Sequence, residues 1–600
     1  MLRISQFVPS GLRICGNYRD AFPALNIYTF KFQVLANEIK DIENHRKYST
    51  QIFHKHGVKS PYSINPLLPK FINTSSSAAD ATGAHVKRRS RKWKYVLGLA
   101  GLLGGIFFYY TSEDDDETDE PTNCGLRAPS KPSDITKDWI EYMLTEHENQ
   151  NSKGSKVVVD SFDLSNAIKL GEGLNSQLQK IDVQARVQNV SGPKSTSLDK
   201  EYHVMVKMRV RSNAMTEAMN KFIDSELKEL TIYSDVIPEL NKFQKMYGGE
   251  FGIKVPNFLY GKFTNKESVL VIENLKPAGY KPHSMKREID LNHAKVVIEN
   301  LAKLHAVSYS YNKSNNFLDK FPCFNSEDKM SWFNTFMNAV SLLDNTIKLL
   351  ELKNDKDLNK LALKIEKSKA NLHKRLTDVV RDTNSKKVLC LTHNDCHSSN
   401  LLFKYGDDNE ENQTIDNMQF VDWQLTNWDS PVIDLQYFFS ISTTHEFRKA
   451  HLETLLEHYH SIFTQATTKM GTPVSHWTYE EFKEEYRRFE IYGLLRGLMV
   501  TQFVQSKFSE FYQRDALAES EVNQRMRRMN SILCNYLWHK FYTSQNWGKM
   551  IMKLNALVLY SIRKEIVSGT NPILNDRILG LVLDADEQGL FEDDLPSSVT

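Results

Sequence analysis

The sequence lacks an excess of charge of either sign, with 76 lysines and arginines against 74 aspartates and glutamates in 600 residues. A basic surface that would bind nucleic acid is therefore not expected. The six cysteines are scattered, and none forms a Cys-x-x-Cys pair or a cysteine–histidine cluster with zinc-ligand spacing. This pattern implies no disulfide framework and favours free thiols in a reducing compartment.

The first 94 residues contain few carboxylates, and their basic and apolar residues are interleaved as in a mitochondrial presequence. An uncharged stretch follows at 95–111, between the basic run 87–92 and the acidic run 113–120. Its seventeen residues are at the short end of what spans a bilayer, so it is either a buried helix or a transmembrane helix. The switch of charge between its flanks favours the membrane anchor.

This layout of presequence-like segment, short span and acidic stretch resembles that of single-pass proteins of the mitochondrial inner membrane. We therefore expect a single-pass membrane location, with the bilayer as the partner of residues 95–111. The alternative is a gene model that joined an unrelated first exon to an enzyme, in which case the protein is cytoplasmic.

After an acidic linker at 112–132, the pattern becomes that of a globular enzyme. Strand-like runs with an amphipathic helix between them predict a small, strand-rich lobe. The runs are 181–190, 202–209 and 268–272, and the apolar side of the helix consists of Met215, Met219, Phe222, Ile223, Leu227 and Leu230. The chain then reads as mostly helical, with two short β-like pieces near residues 400 and 420.

The predicted fold class is therefore α+β, a two-lobed protein-kinase-like fold with a small N-lobe and a larger helical C-lobe. A poorly ordered extension with one short membrane-type helix precedes it. The predicted segments are 1–94 (presequence-like extension), 95–111 (transmembrane helix), 112–132 (linker), 133–275 (N-lobe), 276–592 (C-lobe) and 593–600 (tail).

The densest chemical signal is the segment HNDCHSSNLLF at 393–403, followed by an apolar strand that ends at Asp422. Phosphoryl transfer requires mainly positioning and charge neutralisation. Asp395 fits the carboxylate that takes the proton of the acceptor hydroxyl, and His393 is placed beside it in the catalytic loop, as the residue that supports the loop. The oxygens of Asn400 and Asp422 suit a magnesium ion that bridges to the phosphates.

Together, 393–403, 420–439 (FVDWQLTNWDSPVIDLQYFF) and 301–308 (LAKLHAVS) resemble the ecdysteroid kinase-like family. These choline-kinase-like kinases of insects are relatives of the aminoglycoside phosphotransferases and choline kinases. The resemblance implies ATP and Mg²⁺ as cofactors, and as acceptor a hydroxyl of a small organic molecule. Steroids of the ecdysone type are the family's best-known acceptors, and detoxification has been proposed for other members.

Carried over by position, the resemblance implies that Asp395 is the base, that Asn400 and Asp422 are metal ligands, and that Asp434 braces the catalytic loop. Two departures from the family stand beside the base. Asn394 is where the family usually has glycine, and His397 is where it commonly has an aromatic residue. Both bear on the choice of acceptor more than on the chemistry.

In the N-lobe, Lys207 lies on a predicted strand and is the candidate for pairing with the α- and β-phosphates. Its carboxylate partner is predicted to come from the amphipathic helix. Glu229 matches the spacing of the family, whereas helical geometry places Glu226 nearer the middle of the apolar stripe. We predict Glu229.

Other nucleotide contacts are predicted from position alone. Gly171, Gly173 and Ser176, in the segment 170–176, either cover the phosphates or form a plain turn, because the pattern is not Gly-x-Gly-x-x-Gly. The backbone of Glu273, Asn274 and Leu275, at the end of the last N-lobe strand, is predicted to meet the adenine.

Two other classes of function stay open. A pseudokinase, serving as a tethered binding or scaffold protein, would have lost a base or metal residue, and the chain keeps them all. The second hypothesis, a mitochondrial import-type N-terminus joined to a kinase, is supported only by the layout of residues 1–120. A protein kinase is disfavoured, because Trp423 and Gln424 follow Asp422 and only twelve residues separate Asp422 from Asp434, too few for an activation loop. The sequence predicts neither the acceptor nor an oligomeric state.

Overall fold

A computed structural model describes residues 127–166, 176–189, 196–209, 220–264, 267–283, 288–325, 342–406, 414–506 and 562–592. The predicted segments 1–94 and 95–111, most of the linker at 112–132 and the tail at 593–600 lie outside these residues. Within them, helices and strands are mixed, so the predicted α+β class is confirmed.

The expected single-pass membrane location is corrected by the structure. Within the described residues, no helix is both long enough and apolar enough to cross a bilayer. The longest helix there, Lys356–Arg381, is charged along its length, and the apolar helix Val432–Ser442 has only 11 residues. The stretch 95–111, from which the membrane prediction came, and the helix predicted for it lie outside the described residues.

The N-terminal half of the structure is an antiparallel five-stranded sheet with one helix packed on it. The strand order is β1–β2–β3–β5–β4. Its elements are α1 (Lys137–Asn151), β1 (Ser155–Asn166), β2 (Ser176–Asn189), β3 (Thr196–Arg209), β4 (Phe258–Phe263) and β5 (Ser268–Glu273).

Strand β3 shows why the sheet presents a lysine on one face. Its residues Tyr202, Val204, Val206 and Met208 are buried in the core that the sheet shares with α1. Because successive side chains of a strand point to opposite faces, Lys207 lies on the other face, away from this core.

Strand β1 was not expected, and it changes the place of the glycine segment. The sequence placed residues 170–176 before the first strand, whereas they lie between β1 and β2, which pair as an antiparallel hairpin. Gly171 and Gly173 are outside the described residues, so the choice between a phosphate loop and a plain turn stays a prediction.

Between β3 and β4, a short helix α2 (Ser225–Thr231) runs through a π-helical stretch, Ile232–Val236, into α3 (Ile237–Lys245). The part of the predicted amphipathic helix before residue 220 lies outside the described residues. Within α2, Lys228 and Glu229 are buried.

The described remainder of the chain is mainly helical, with two small sheets. Its helices are α4 (Leu291–Asn315), α5 (Phe317–Lys320), α6 (Leu342–Leu352), α7 (Lys356–Arg381), α8 (Val432–Ser442), α9 (His445–Lys469), α10 (Tyr479–Arg488), α11 (Glu490–Val504) and α12 (Pro572–Glu587). Its strands are β6 (Tyr280–Pro282), β7 (Cys390–Thr392), β8 (Leu401–Tyr405), β9 (Ile415–Phe420) and β10 (Asn427–Asp429).

Helix α8 lies at the centre of this helical part, since all of its residues are buried. That burial explains its apolar sequence, which leaves no solvent-facing stripe. Strands β6, β8 and β9 form one small sheet, and β7 pairs with β10 in another. The loop from β7 to β8 and the turn after β9 therefore emerge beside α8, which is where the polar residues of the candidate site lie.

Candidate active site

One buried carboxylate fixes the loop between β7 and β8 through hydrogen bonds to its backbone. Asp434, in the first turn of α8, accepts the backbone N–H of His393 at 2.7 Å and that of Asn394 at 2.7 Å. Its Oδ2 also lies 3.0 Å from Nε2 of His305, on α4. Asp434 and His305 are both fully buried. Three donors from two segments thus satisfy Asp434 and fix the path of the loop.

The residue between His393 and Asp395 takes an unusual backbone conformation. Asn394 has φ of 61°, in the left-handed region that glycine enters at no steric cost. Asparagine is one of the few other residues that tolerate this region. The departure from the family's usual glycine therefore keeps the same turn.

The hydrogen bonds of His393 identify its tautomer. Nε2 lies 3.1 Å from the carbonyl of Val421 and must donate to it, while Nδ1 accepts the N–H of Asp395 at 3.3 Å. Both ring nitrogens are thus used within the protein, and burial lowers the pKa of His393. A neutral imidazole in this position ties the loop to the end of β9 and has no nitrogen left for a substrate.

The carboxylate of Asp395 receives a donor on each oxygen. Tyr437, on α8, donates its hydroxyl to Oδ1. Asn400 donates its Nδ2 to Oδ2 at 3.1 Å and to the backbone carbonyl of Asp395 at 3.0 Å. His397 also lies nearby, with its Nε2 at 3.8 Å from Oδ1. Each carboxylate oxygen keeps a second lone pair, so the group can still accept a proton from a substrate hydroxyl.

On the opposite face of the sheet from α1, Lys207 joins two carboxylates. Its Nζ lies 2.7 Å from Oε2 of Glu229 and 2.7 Å from Oδ1 of Asp422, which follows β9. Asp422 has φ of 67°, and Gln424 donates to its second oxygen at 3.2 Å. The triad connects the strand-rich part of the chain to the helical part.

Burial and charge act in opposite directions on this triad. Burial lowers the pKa of Lys207, but the carboxylates of Asp422 and Glu229 outweigh it and raise the pKa above its ordinary value. Burial raises the pKa of Glu229 to about 7, against the effect of Lys207. For Asp422 burial also raises the pKa, but Lys207 outweighs it and the pKa is lowered. Lys207 and Asp422 thus hold each other in their charged forms, whereas burial disfavours the ionised form of Glu229.

The second glutamate of α2 has a different partner. Glu226 pairs with Arg209, whose Nη2 lies 2.7 Å from Oε2. Lys207 and Arg209 are two residues apart on β3 and so share one face of the sheet. Both pairs line the same cavity, with Gln424 at its edge. Sequence reasoning named both glutamates and missed Arg209.

Some of the backbone groups predicted to contact the adenine already form hydrogen bonds within the protein. The N–H of Glu273 donates to the carbonyl of Asn257 at 2.9 Å, and that of Asn274 donates to the carbonyl of His203 at 2.8 Å. The carbonyl of Leu275 accepts the backbone N–H of Tyr280 at 3.2 Å. An adenine contact at this position therefore stays a prediction. Ser176 is the first residue of β2 and lies opposite Arg209 in the register.

Besides Arg209, three further residues of the site have no counterpart among those predicted. His305 stands within the quoted segment 301–308, but its role depends on the packing of α4 against α8. Tyr437 had a usable signal, since it follows Asp434 by three residues and so shares its side of α8. Arg496, from α11, is buried with its guanidinium 5.4 Å from the ring centroid of Tyr437, and no motif marks it.

Comparison with known proteins gives one family and several distant structures. A sequence model of the ecdysteroid kinase-like family matches residues 171–472. No curated protein matches the chain.

Three solved structures are similar at 12% identity. A putative fructosamine-3-kinase from Haemophilus somnus 129PT has a TM-score of 0.26, covering 66% of this chain and 96% of its own. An aminoglycoside-3'-phosphotransferase of type VIII has a TM-score of 0.23, covering 60% and 99%. A spectinomycin phosphotransferase in complex with AMP has a TM-score of 0.24, covering 59% and 90%.

Proposed function

The chain belongs to the ecdysteroid kinase-like family, and we propose that it is a small-molecule kinase that transfers the γ-phosphoryl group of ATP to a hydroxyl of an organic alcohol. The observation that carries the proposal is the 2.7 Å contact between Nζ of Lys207 and Oδ1 of Asp422, which are 215 residues apart in the sequence. Such a contact brings a phosphate-binding lysine and a metal-binding carboxylate to one place, beside the loop of Asp395.

In the proposed mechanism, Asp395 accepts the proton of the acceptor hydroxyl while the hydroxyl oxygen attacks the γ-phosphorus, the bond from that phosphorus to the β-phosphate oxygen breaks, and ADP leaves. Tyr437 and Asn400 orient the carboxylate for this step. Lys207, positioned by Glu229, binds phosphate oxygens of the nucleotide. Positioning and charge neutralisation supply most of the rate enhancement in phosphoryl transfer, and these residues provide both.

The residues present fit magnesium. The amide of Asn400 turns its Nδ2 towards Asp395, which leaves Oδ1 as the atom available to a cation. The side chain of Asp422 is 30% exposed, so its carboxylate is open to an ion. Among the described residues, no three His, Cys, Asp or Glu side chains cluster as a metal site. Two protein oxygens suit Mg²⁺, which usually completes its shell with water and phosphate oxygens and there neutralises phosphate charge.

The class of acceptor follows from the family resemblance and stays part of the proposal. An ecdysteroid is the first expectation, and another alcohol, within a detoxification reaction, is the second. The proposed partners are thus a small-molecule alcohol, ATP and Mg²⁺, with no nucleic acid.

The test is a phosphorylation assay with MgATP over a panel of ecdysone-type steroids, choline-like amines and plant alcohols, read by mass spectrometry. Wild type should add one phosphate to at least one alcohol. Asp395→Asn and Asp422→Asn should each lower turnover by about a hundredfold or more, since the base and the metal ligand each contribute several kcal/mol.

The two variants serve as controls for each other. Asp422→Asn should also weaken nucleotide binding in the presence of magnesium, whereas Asp395→Asn should leave it nearly intact. Turnover close to wild type in both variants would show that the site is misidentified. Wild type that binds MgATP but phosphorylates no member of the panel would favour the binding or scaffold protein instead.

A further inference from the structure

Three histidines belong to the candidate site, and they differ in how their ring nitrogens are used. His305 has both nitrogens in hydrogen-bond contact, with Tyr459 at 2.9 Å and with Asp434 at 3.0 Å. His393 also has both nitrogens engaged, as described above. His397 differs, since neither of its ring nitrogens has a hydrogen-bond partner among the described residues.

The two nitrogens of His397 are placed differently. Nδ1 is buried without a partner. Nε2 lies 3.8 Å from Oδ1 of Asp395, which is too long for a hydrogen bond. Nε2 is thus the nitrogen beside the base, and a molecule bound between them would give Nε2 the hydrogen-bond partner that it lacks among the described residues.

The loop holds His397 firmly in this place. Its backbone N–H donates to the carbonyl of Asp395 at 2.9 Å, and its own carbonyl accepts the N–H of Asn400 at 2.9 Å. The ring lies at 26° to the ring of Tyr437, with centroids 6.5 Å apart. The imidazole is therefore positioned by the same loop and the same tyrosine that position the base.

Nε2 of His397 and Oδ1 of Asp395 are 3.8 Å apart, so a single hydroxyl oxygen can lie within hydrogen-bond distance of both. Such an oxygen would be about 2.8 Å from each atom. The nearby carboxylate favours a proton on Nε2, since a lone pair there would face a negative charge. The hydroxyl could then donate its proton to Asp395 and accept a hydrogen bond from Nε2.

We propose that His397 binds the reacting hydroxyl of the acceptor through Nε2, and so works with Asp395 to orient the oxygen that attacks phosphorus. The inference rests on the proposed kinase function and adds a specificity-determining residue to it. Proton balance is unchanged: the hydroxyl proton goes to Asp395, and the ring proton of His397 stays on Nε2.

The test compares His397→Phe with His397→Gln, using the panel alcohol that wild type phosphorylates fastest. Phenylalanine keeps a planar ring beside Tyr437 and removes both nitrogens, whereas the side-chain amide of glutamine restores a donor. His397→Phe should lower kcat/KM for the alcohol by about tenfold or more, the effect of one lost hydrogen bond of average strength. The KM for ATP should stay within about twofold, because the nucleotide is bound by other residues.

His397→Gln should recover most of the lost kcat/KM, and the thermal midpoints of both variants should match wild type. His458→Phe is the matched control, since His458 already bonds Glu299 at 3.0 Å and should leave all parameters unchanged. The inference is overturned if His397→Phe keeps its kcat/KM, if glutamine restores nothing, or if the KM for ATP rises in parallel.

Turnover by wild type separates this inference from the function on which it rests. If wild type is active and His397→Phe is equally active, only the role of His397 is lost and the kinase function stands. If wild type phosphorylates no alcohol, both are lost.

Discussion

The carboxylates of Asp434 and Asp422 belong to the same candidate site but differ in their surroundings. Asp434 is fully buried and bonded to two backbone N–H groups and an imidazole. Asp422 is 30% exposed and bonded to Lys207, which comes from the strand-rich part of the chain. Asp434 organises a loop, whereas Asp422 pairs with a lysine from another part of the chain.

This difference separates a part of the site that is held within the helical core from a part that joins the strand-rich and helical regions. The loop of Asp395 is held by backbone donors and by helices that pack in the main core. Its geometry therefore depends on the folding of the helical part. The contact between Lys207 and Asp422 depends on how the two parts of the chain meet, and in the proposed function both groups would take other partners when phosphates and a cation bind.

The largest effect should come from the brace of the loop. In Asp434→Asn, one of the two backbone N–H groups would face an amide donor in place of a carboxylate oxygen. A buried donor without an acceptor costs about 1–3 kcal/mol, and the lost charge adds to it, so we expect the free energy of unfolding to fall by about 2–4 kcal/mol. Denaturant titration measures this as a lower midpoint at unchanged slope.

Turnover of Asp434→Asn should fall as well, because the loop carries the base. Wild-type stability in this variant would mean that the loop is held by other contacts and that the comparison is mistaken.

Substitution of Glu229, the partner of Lys207, should affect the free energy of unfolding less than Asp434→Asn does, but it should clearly lower activity. Glu229→Gln removes one partner of Lys207 and leaves the lysine bonded to Asp422, which should lower turnover by about tenfold or more. Burial raises the pKa of Glu229 to about 7, so its ionised form is disfavoured in the folded protein. At pH 8, above this pKa, wild-type Glu229 is ionised at a cost to folding, so neutral glutamine should not lower the free energy of unfolding there.

Glu226→Gln is the matched control, since Glu226 stands on the same helix and pairs with Arg209. Its turnover should stay within about threefold of wild type, as expected for a partly exposed ion pair. Equal losses in the two variants would mean that both pairs act as one unit in holding α2 against β3.

The residues of the catalytic loop could be predicted because short stretches of chain bring them together. Asp395 and Asn400 stand five positions apart, and the bond between them needs only the local turn. Glu229 could be predicted because it matches the spacing of the family, although the simple helical pattern favoured Glu226. Helix α2 is short and runs into a π-helical stretch, so an apolar stripe computed for one regular helix does not apply there.

Other features depend on contacts between distant segments, which one sequence does not reveal. Tyr437 meets Asp395 only because α8 lies beneath the loop. Strand β1 was missed since its alternation is interrupted: the pairing register shifts between Val159 and Ser161, as in a β-bulge. Beyond that shift the polar residues no longer follow the pattern of one buried face, and Phe162 is exposed.

The smallest effect is expected at Asn394, where the loop turns with φ of 61°. Asn394→Gly would remove the strain of a left-handed residue, but it would also lose the bond from Nδ2 to Oγ1 of Thr392 at 2.9 Å and make the unfolded chain more flexible. Each of these opposing terms is about 0.5–1 kcal/mol, so the free energy of unfolding should change by less than about 1 kcal/mol.

The N–H of residue 394 still reaches Asp434 in this variant, and turnover should stay within about threefold of wild type. Asn394→Val is the contrasting variant, because a β-branched side chain is strongly disfavoured at positive φ and should cost more than about 2 kcal/mol. Denaturant titration and steady-state kinetics on the same preparations measure both quantities. A glycine variant that folds as wild type but loses more than about tenfold in acceptor kcat/KM would show that the side chain of Asn394 contacts the acceptor, and that this side of the loop does more than turn the chain.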